Sequence, residues 1–215
     1  MPQASNEPSA DGSAVRQPPI ARVLLGLYVL LFAVCAIRPY DRTVWFAENL
    51  PIVLLVGTIA AFARSFRFST LAWLCMAVLP ALHTIGGHYS FALVPFDWVT
   101  DTFDFQRNHF DRGAHFTVGF FAFPMAELLL EHGFVRHRLI GYLFPLFAIM
   151  AVAAGYEVFE WIYAVMGDPN AGAAVLGSQG DFWDAQQDIL ADTLGALAGL
   201  GLYTVCRRGP RAEAC

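Results

Sequence analysis

Long apolar runs separated by short polar segments make up most of the 215-residue chain. A helix needs about 20 mostly apolar residues to cross a bilayer, and these runs are continuously apolar, without the alternation of a membrane barrel. Two of the runs are short and carry Glu48 and Glu127. The six predicted spans cover residues 20–37, 46–62, 68–85, 115–130, 139–165 and 187–206. The pattern predicts an all-α polytopic membrane protein built as a six-helix transmembrane bundle.

Composition supports a membrane protein. The chain is 57% hydrophobic and 14% charged, whereas a soluble domain carries about 25% charged residues. A net charge of -5 argues against a nucleic-acid partner, which would need a basic face. The cysteines contain no close pair, which makes a disulfide framework and a cysteine metal site improbable. They are Cys35, Cys75, Cys206 and Cys215.

The chain divides into one membrane domain and two tails. Residues 1–19 are rich in Pro, Ser and Ala without apolar periodicity, and they are expected to form a disordered cytoplasmic tail. Residues 20–206 form the six-span domain, and residues 207–215 form a cytoplasmic C-terminal tail. The first run also resembles a signal peptide, but five apolar runs follow it and its length favours a retained span.

The charged residues predict an orientation. Nine of the thirteen arginines lie in the termini, the second loop and the fourth loop, and thirteen of the eighteen acids lie on the opposite half. By the positive-inside rule both termini are predicted to be cytoplasmic.

Ionisable residues cluster at the outer ends of four predicted spans. Because successive spans run in opposite directions, residues at these ends share the outer leaflet. On the sixth span Asp184, Asp188 and Asp192 share a stripe with Gly195 and Gly199. Small residues let helices approach closely, so this stripe is predicted to face the bundle interior. Ionisable groups inside a membrane usually mark a functional site.

Several carboxylates in a low dielectric need cations or protons as partners. In one arrangement a divalent metal ion, Zn or Mn/Mg, is the partner. The candidate metal ligands are His83, His88, His115, Glu157, Glu160, Asp188 and Asp192. The candidate substrate-binding residues are Arg107, Arg112, Asp111 and Asp184. In the other arrangement the arginines pair with some carboxylates and the others relay protons.

Two further regions carry expectations. The third loop, residues 86–114, alternates aromatic and acidic residues, which indicates an aromatic belt at the membrane interface or a lid over the polar site. Glu127 lies off the small-residue face of the fourth span and is expected to reach the membrane surface.

Four motifs in this order resemble those of the YjdF family of bacterial inner-membrane proteins. They are HTIGGHY at 83–89, RNHFDRGAH at 107–115, EVFEW at 157–161 and GSQGDFWD at 177–184. The likeness covers roughly residues 20–206. It implies a multi-pass protein of the bacterial inner membrane with no assigned biochemical role, so no catalytic residue is transferred.

Three functional hypotheses follow. The leading one is a metal-dependent membrane hydrolase whose His/Asp/Glu site acts on a lipid or an anionic small molecule at the outer leaflet, with the lipid bilayer as its surroundings. The alternatives are a proton- or ion-coupled transporter using the same carboxylates, and a structural scaffold whose buried ion pairs specify helix packing.

Overall fold

Helices form the regular secondary structure in the computed structural model, which describes residues 15–166 and 178–208 together with Gly172 and Leu176. The first helices are α1 (Pro19–Cys35), α2 (Arg42–Ser65), α3 (Thr70–Tyr89) and α4 (Asp97–Thr102). The remaining helices are α5 (Phe110–Val118), α6 (Ala122–Glu131), α7 (Arg138–Met166) and α8 (Asp184–Arg208). Short 3-10 turns occupy Phe91–Leu93 and Gly119–Phe121.

Five helical segments are long and apolar enough to cross a membrane: α2, α3, α5 with α6, α7 and α8. The shorter apolar helix α1 is the sixth segment. The predicted all-α polytopic membrane fold is therefore confirmed. Helix α2 begins four residues earlier than predicted, because Asp41 caps it by accepting hydrogen bonds from the backbone N–H groups of Thr43 and Val44 at 2.7 and 3.0 Å.

Helix α8 packs against α5, α6 and α7 and crosses the α5–α6 segment at backbone contact. A Cβ atom on Gly119 would overlap the backbone of Ala196, and one on Gly195 would overlap the backbone of Phe116. Gly199 also faces this crossing, where a Cβ would lie 3.3 Å from the carbonyl oxygen of Gly119. The predicted interior position of the small-residue stripe is confirmed, and this close approach sets the position of the acids on α8 relative to α5.

An apolar core fills the half of the bundle where α3 begins and where α6 and α8 end. Phe68, Phe123 and Tyr203 are all buried there. These residues pack between α3, α6 and α8. Most of the buried acids lie in the opposite half of the bundle.

Residues 15–19, which the sequence assigned to the N-terminal tail, are among the described residues and pack on the bundle. The Gln17 side-chain amide donates to the carbonyl oxygens of Ala63 and Phe66, and its oxygen accepts hydrogen bonds from the Phe68 backbone and the Trp73 indole. One polar side chain therefore ties the start of α1 to the loop between α2 and α3. Residues 1–14 and 209–215 of the predicted tails lie outside the described residues.

The predicted surface position of Glu127 is wrong. Only 3% of this residue is exposed, and its carboxylate accepts a hydrogen bond of 2.7 Å from the backbone N–H of Ser69. Arg207 lies 3.8 Å from the second carboxylate oxygen. The first N–H groups of a helix lack partners within the helix, and an acid from a neighbouring helix satisfies one of them at the start of α3.

Candidate functional site

His115 lies on α5 with three carboxylates around one of its ring nitrogens. Its Nε2 is 3.7 Å from Asp111 Oδ1, one helical turn earlier on α5. The same nitrogen is 3.9 Å from Asp188 Oδ1 on α8 and 4.0 Å from Glu157 Oε1 on α7. Three helices thus direct acids at a single imidazole, and all four side chains are largely shielded from solvent.

The other ring nitrogen of His115 fixes its orientation. Nδ1 lies 3.2 Å from Asp192 Oδ2, and a carboxylate can only accept, so Nδ1 carries the proton. In the neutral ring Nε2 then presents its lone pair to the three acids. A carboxylate behind a ligating imidazole is the usual second partner at metal sites, because it holds the tautomer and raises the basicity of the ligand.

The donor atoms lie close enough together to share an ion. Two ligands bound at about 2.1 Å are at most about 4.2 Å apart. The distances from Nε2 to the three acids fall below that limit. The donor atoms of Asp111, His115 and Asp188 all lie within 4.8 Å of one another, so a small shift of the side chains brings the whole set within it. Glu157 Oε1 is buried and has no hydrogen-bond partner among the described residues. The residues present fit a divalent cation.

Two arginines cover the loop side of this group. Arg107 Nη1 is 2.6 Å from Asp184 Oδ1, and Arg112 Nη2 is 2.9 Å from the same oxygen. Arg112 Nη1 is also 2.5 Å from Asp188 Oδ1. The predicted substrate-binding residues Arg107, Arg112 and Asp184 therefore form an ion-pair network beside His115, while the fourth, Asp111, lies within the His115 group.

Asp181, just before α8, belongs to the edge of this network. The Trp183 backbone N–H donates to its carboxylate at 2.9 Å, and Arg107 lies 3.3 Å away. The hydrogen bond from Trp183 and the neighbouring arginines lower the pKa of Asp181 below its usual value. This carboxylate is therefore ionised wherever the protein is folded near neutral pH.

A second polar group connects α2, α3 and α7. His83 Nε2 lies 3.0 Å from the Glu48 carbonyl oxygen, which can only accept, so this nitrogen is a hydrogen-bond donor. It also lies 3.2 Å from Glu48 Oε2, to which the Tyr156 hydroxyl donates at 3.1 Å. His83 Nε2 therefore carries a proton and is not available as a metal ligand in this arrangement.

Sequence reasoning missed Glu48 and Tyr156 as members of the site. Glu48 is 1% exposed inside a helix, and an acid in an apolar run is itself a signal of a functional position. Tyr156 precedes the predicted Glu157 on α7, but no spacing rule indicates that its hydroxyl reaches α2.

The structure separates three predicted ligands from the His115 group: His83, which belongs to the second polar group, His88 and Glu160. The Nδ1 of His88 lies 2.8 Å from the Cys35 carbonyl oxygen, which ties the end of α3 to the end of α1. Glu160 is buried and lines the cavity described below without appearing among the acids around His115 Nε2. Of the predicted ligands, His115, Glu157 and Asp188 come together, with Asp192 behind the imidazole.

A cavity of about 180 Å³ joins the two polar groups. Its polar end contains Asp111, His115, His83, Tyr156 and Glu160. The Phe91 ring, from the loop after α3, packs 4.9 Å from the His83 ring and covers this end. Asp192 completes the polar lining, and the rest of the wall is apolar: Pro51, Ile52, Leu55, Leu79, Ala114, Val118, Val152 and Ala153.

Sequence comparisons agree with this architecture. A family model described as "Predicted membrane protein (DUF2238)" matches residues 20–209. The chain belongs to this family. It is also 29% identical over 170 residues to "Inner membrane protein YjdF" of Escherichia coli (strain K12), a match that covers 78% of the chain and 81% of that relative. No solved structure matches. The expected YjdF-like family is confirmed, and the chain is a multi-pass membrane protein.

Proposed function

We propose that the protein is a metal-dependent membrane hydrolase of the bacterial inner membrane, with its site in the outer leaflet and both termini in the cytoplasm. The observation that carries the proposal is His115, whose Nε2 faces Asp111, Glu157 and Asp188 while its Nδ1 donates to Asp192. One imidazole with several carboxylates suits Mn²⁺, Mg²⁺ or Zn²⁺.

The charge balance supports a bound cation. Arg107 and Arg112 already pair with Asp181, Asp184 and one oxygen of Asp188. Glu157 and Asp192, which contact His115, have no arginine within ion-pair distance among the described residues. Burying a charge without a partner is costly. A divalent ion beside Nε2 would compensate Asp111 and Glu157 and would share Asp188 Oδ1 with Arg112.

Hydrolysis assigns a role to the residues around the cavity. A divalent ion at this position would supply Lewis-acid chemistry, polarising an ester and easing loss of a proton from water. The water oxygen would bond to the phosphorus or the carbonyl carbon of the ester as the bond to the leaving oxygen breaks. Glu160, buried in the cavity wall, offers a carboxylate that takes the proton from water and returns it to the leaving group.

The distribution of polar groups favours a site over a transport path. The cavity and both histidine groups lie toward one end of the bundle, while the apolar core around Phe123 and Tyr203 closes the other half of the described structure. A transporter needs alternating access to a site near the middle of the bilayer.

The test is the metal content of the purified protein. The wild-type chain is expected to carry about one divalent ion per chain by elemental analysis, because the four ligands define one site. Asp111→Asn removes one ligand charge, and the bound metal is expected to be lost on dialysis.

Asp101→Asn is the matched control, because Asp101 is an exposed acid in α4 and is not one of the acids around His115. It should keep the wild-type metal content. A wild-type protein without metal, or equal metal in Asp111→Asn and wild type, would contradict the proposal.

A further inference from the structure

The helices around the cavity form a ring that is packed at every junction except one. Going around the cavity, α2 packs on α3, α3 on α5, α5 on α8, and α8 on α7. Among the described residues, helices α7 and α2 have no comparable packing interface. One hydrogen bond, from the Tyr156 hydroxyl to Glu48, bridges them at the polar end of the cavity.

The cavity reaches the outside of the bundle along this junction. Val152 lines the cavity wall and is also 60% exposed. Leu54, on α2 beside the cavity-lining Leu55, is 64% exposed. Both helices are membrane spans, so a side chain exposed at this level faces lipid chains.

Polarity along the cavity matches the polarity of a lipid in one leaflet. Val152 lies eight residues before Glu160 on α7, which places it about 12 Å further from the loop end of the bundle. The wall is polar around Glu160 and His115 and apolar around Leu55, Leu79 and Val152. A lipid in the adjacent leaflet has the same order, with a polar headgroup toward the surface and an acyl chain toward the midplane.

We infer that the site takes its substrate sideways from the bilayer: one acyl chain of a glycerophospholipid enters between α2 and α7 and fills the apolar part of the cavity. This places the phosphate and ester groups beside Asp111 and His115. Each buried methylene contributes about 0.8 kcal/mol relative to water, but much less relative to the bilayer, so the apolar wall serves mainly to position the chain. The position of the acyl chain follows from the shape and polarity of the cavity. Hydrolysis at the headgroup rests on the proposed function.

The experiment uses photo-crosslinking in vesicles of phosphatidylethanolamine and phosphatidylglycerol. The probe is a phosphatidylglycerol with a diazirine in one acyl chain, and labelled residues are located by mass spectrometry. Labelling is expected at the interior residues Leu55 and Leu79 as well as at Val152. Labels confined to outward-facing residues such as Leu54 would overturn the inference.

A pair of variants on α7 provides the control. Val152→Trp places a large ring at the opening, and loss of labelling at Leu79 is expected. Val158→Trp is a matched substitution, because Val158 is 52% exposed on the same helix and does not line the cavity. It should leave the interior labelling unchanged. Equal interior labelling in both variants would contradict entry between α2 and α7.

The same measurement on Asp111→Asn separates this inference from the proposed function. Interior labelling is expected to persist in this variant, because the acyl chain binds the apolar wall. Interior labelling in a wild-type protein that binds no metal would support lateral entry and contradict the hydrolase. Metal binding without interior labelling would contradict lateral entry and leave the metal site standing.

Discussion

At the scale of single residues, the division of labour between the histidines depends on what accepts their protons. His83 directs its Nε2 proton to the Glu48 carbonyl oxygen, and His88 uses Nδ1 toward the Cys35 carbonyl oxygen. His115 directs Nδ1 to Asp192 and turns Nε2 to Asp111, Glu157 and Asp188. The sequence indicated that these histidines and acids share one end of the bundle, but it treated them as one set. The tautomer of each histidine depends on contacts with other helices, and residue spacing along one helix does not predict those contacts.

Asp192→Asn tests the supporting position of that carboxylate. The variant leaves the three acids around Nε2 in place but weakens the charge-assisted hydrogen bond to Nδ1, and loss of such a partner costs about 10–100-fold in metal affinity. Calorimetric titration of the metal-free protein with Mn²⁺ measures the change. Asp181→Asn, which alters an acid at the edge of the arginine network, should stay close to wild type. Equal affinity for Asp192→Asn and wild type would show that Asp192 does not support His115.

At the scale of helices, the site depends on how closely α8 approaches the α5–α6 segment. The spacing of small residues on α8 was enough to predict which face turns inward. Close backbone contact between helices needs small residues, and this holds for any neighbouring helix. The partner of Glu48 was not predictable, since α2 and α7 are far apart in sequence and, among the described residues, meet through the Tyr156 hydroxyl. Glu127 was misplaced for a similar reason: its partner is a backbone N–H at the start of another helix.

Gly119→Ala is expected to destabilise the bundle, because the added methyl group would overlap the α8 backbone, which cannot move aside as a side chain can. Overpacking of this kind costs about 1–3 kcal/mol in the free energy of unfolding. Gly113→Ala provides the comparison on the same segment, where an added Cβ meets nothing within 4 Å and alanine favours the helix. Unfolding in mixed detergent micelles measures both variants. Equal stability of the two would contradict the close crossing.

At the scale of the whole molecule, only 14% of the residues are charged, and many of the acids lie at one end of the bundle. The length of the continuous apolar runs was sufficient to predict the six helical segments, because a membrane span must satisfy its backbone internally and present apolar side chains outward. Most of the buried acids, by contrast, gather around His115 and His83 next to a cavity with an apolar wall. These features underlie the proposed cation site at one end of the bundle and the proposed opening onto the lipid.

Pulsed electron paramagnetic resonance of the Mn²⁺-loaded protein tests the central claim most directly, because coupling from a directly bound imidazole nitrogen identifies the histidine ligand. The account predicts coupling from one histidine, lost in His115→Gln and retained in His83→Gln. Coupling that persists in His115→Gln, or the absence of bound Mn²⁺ in the wild-type protein, would contradict it.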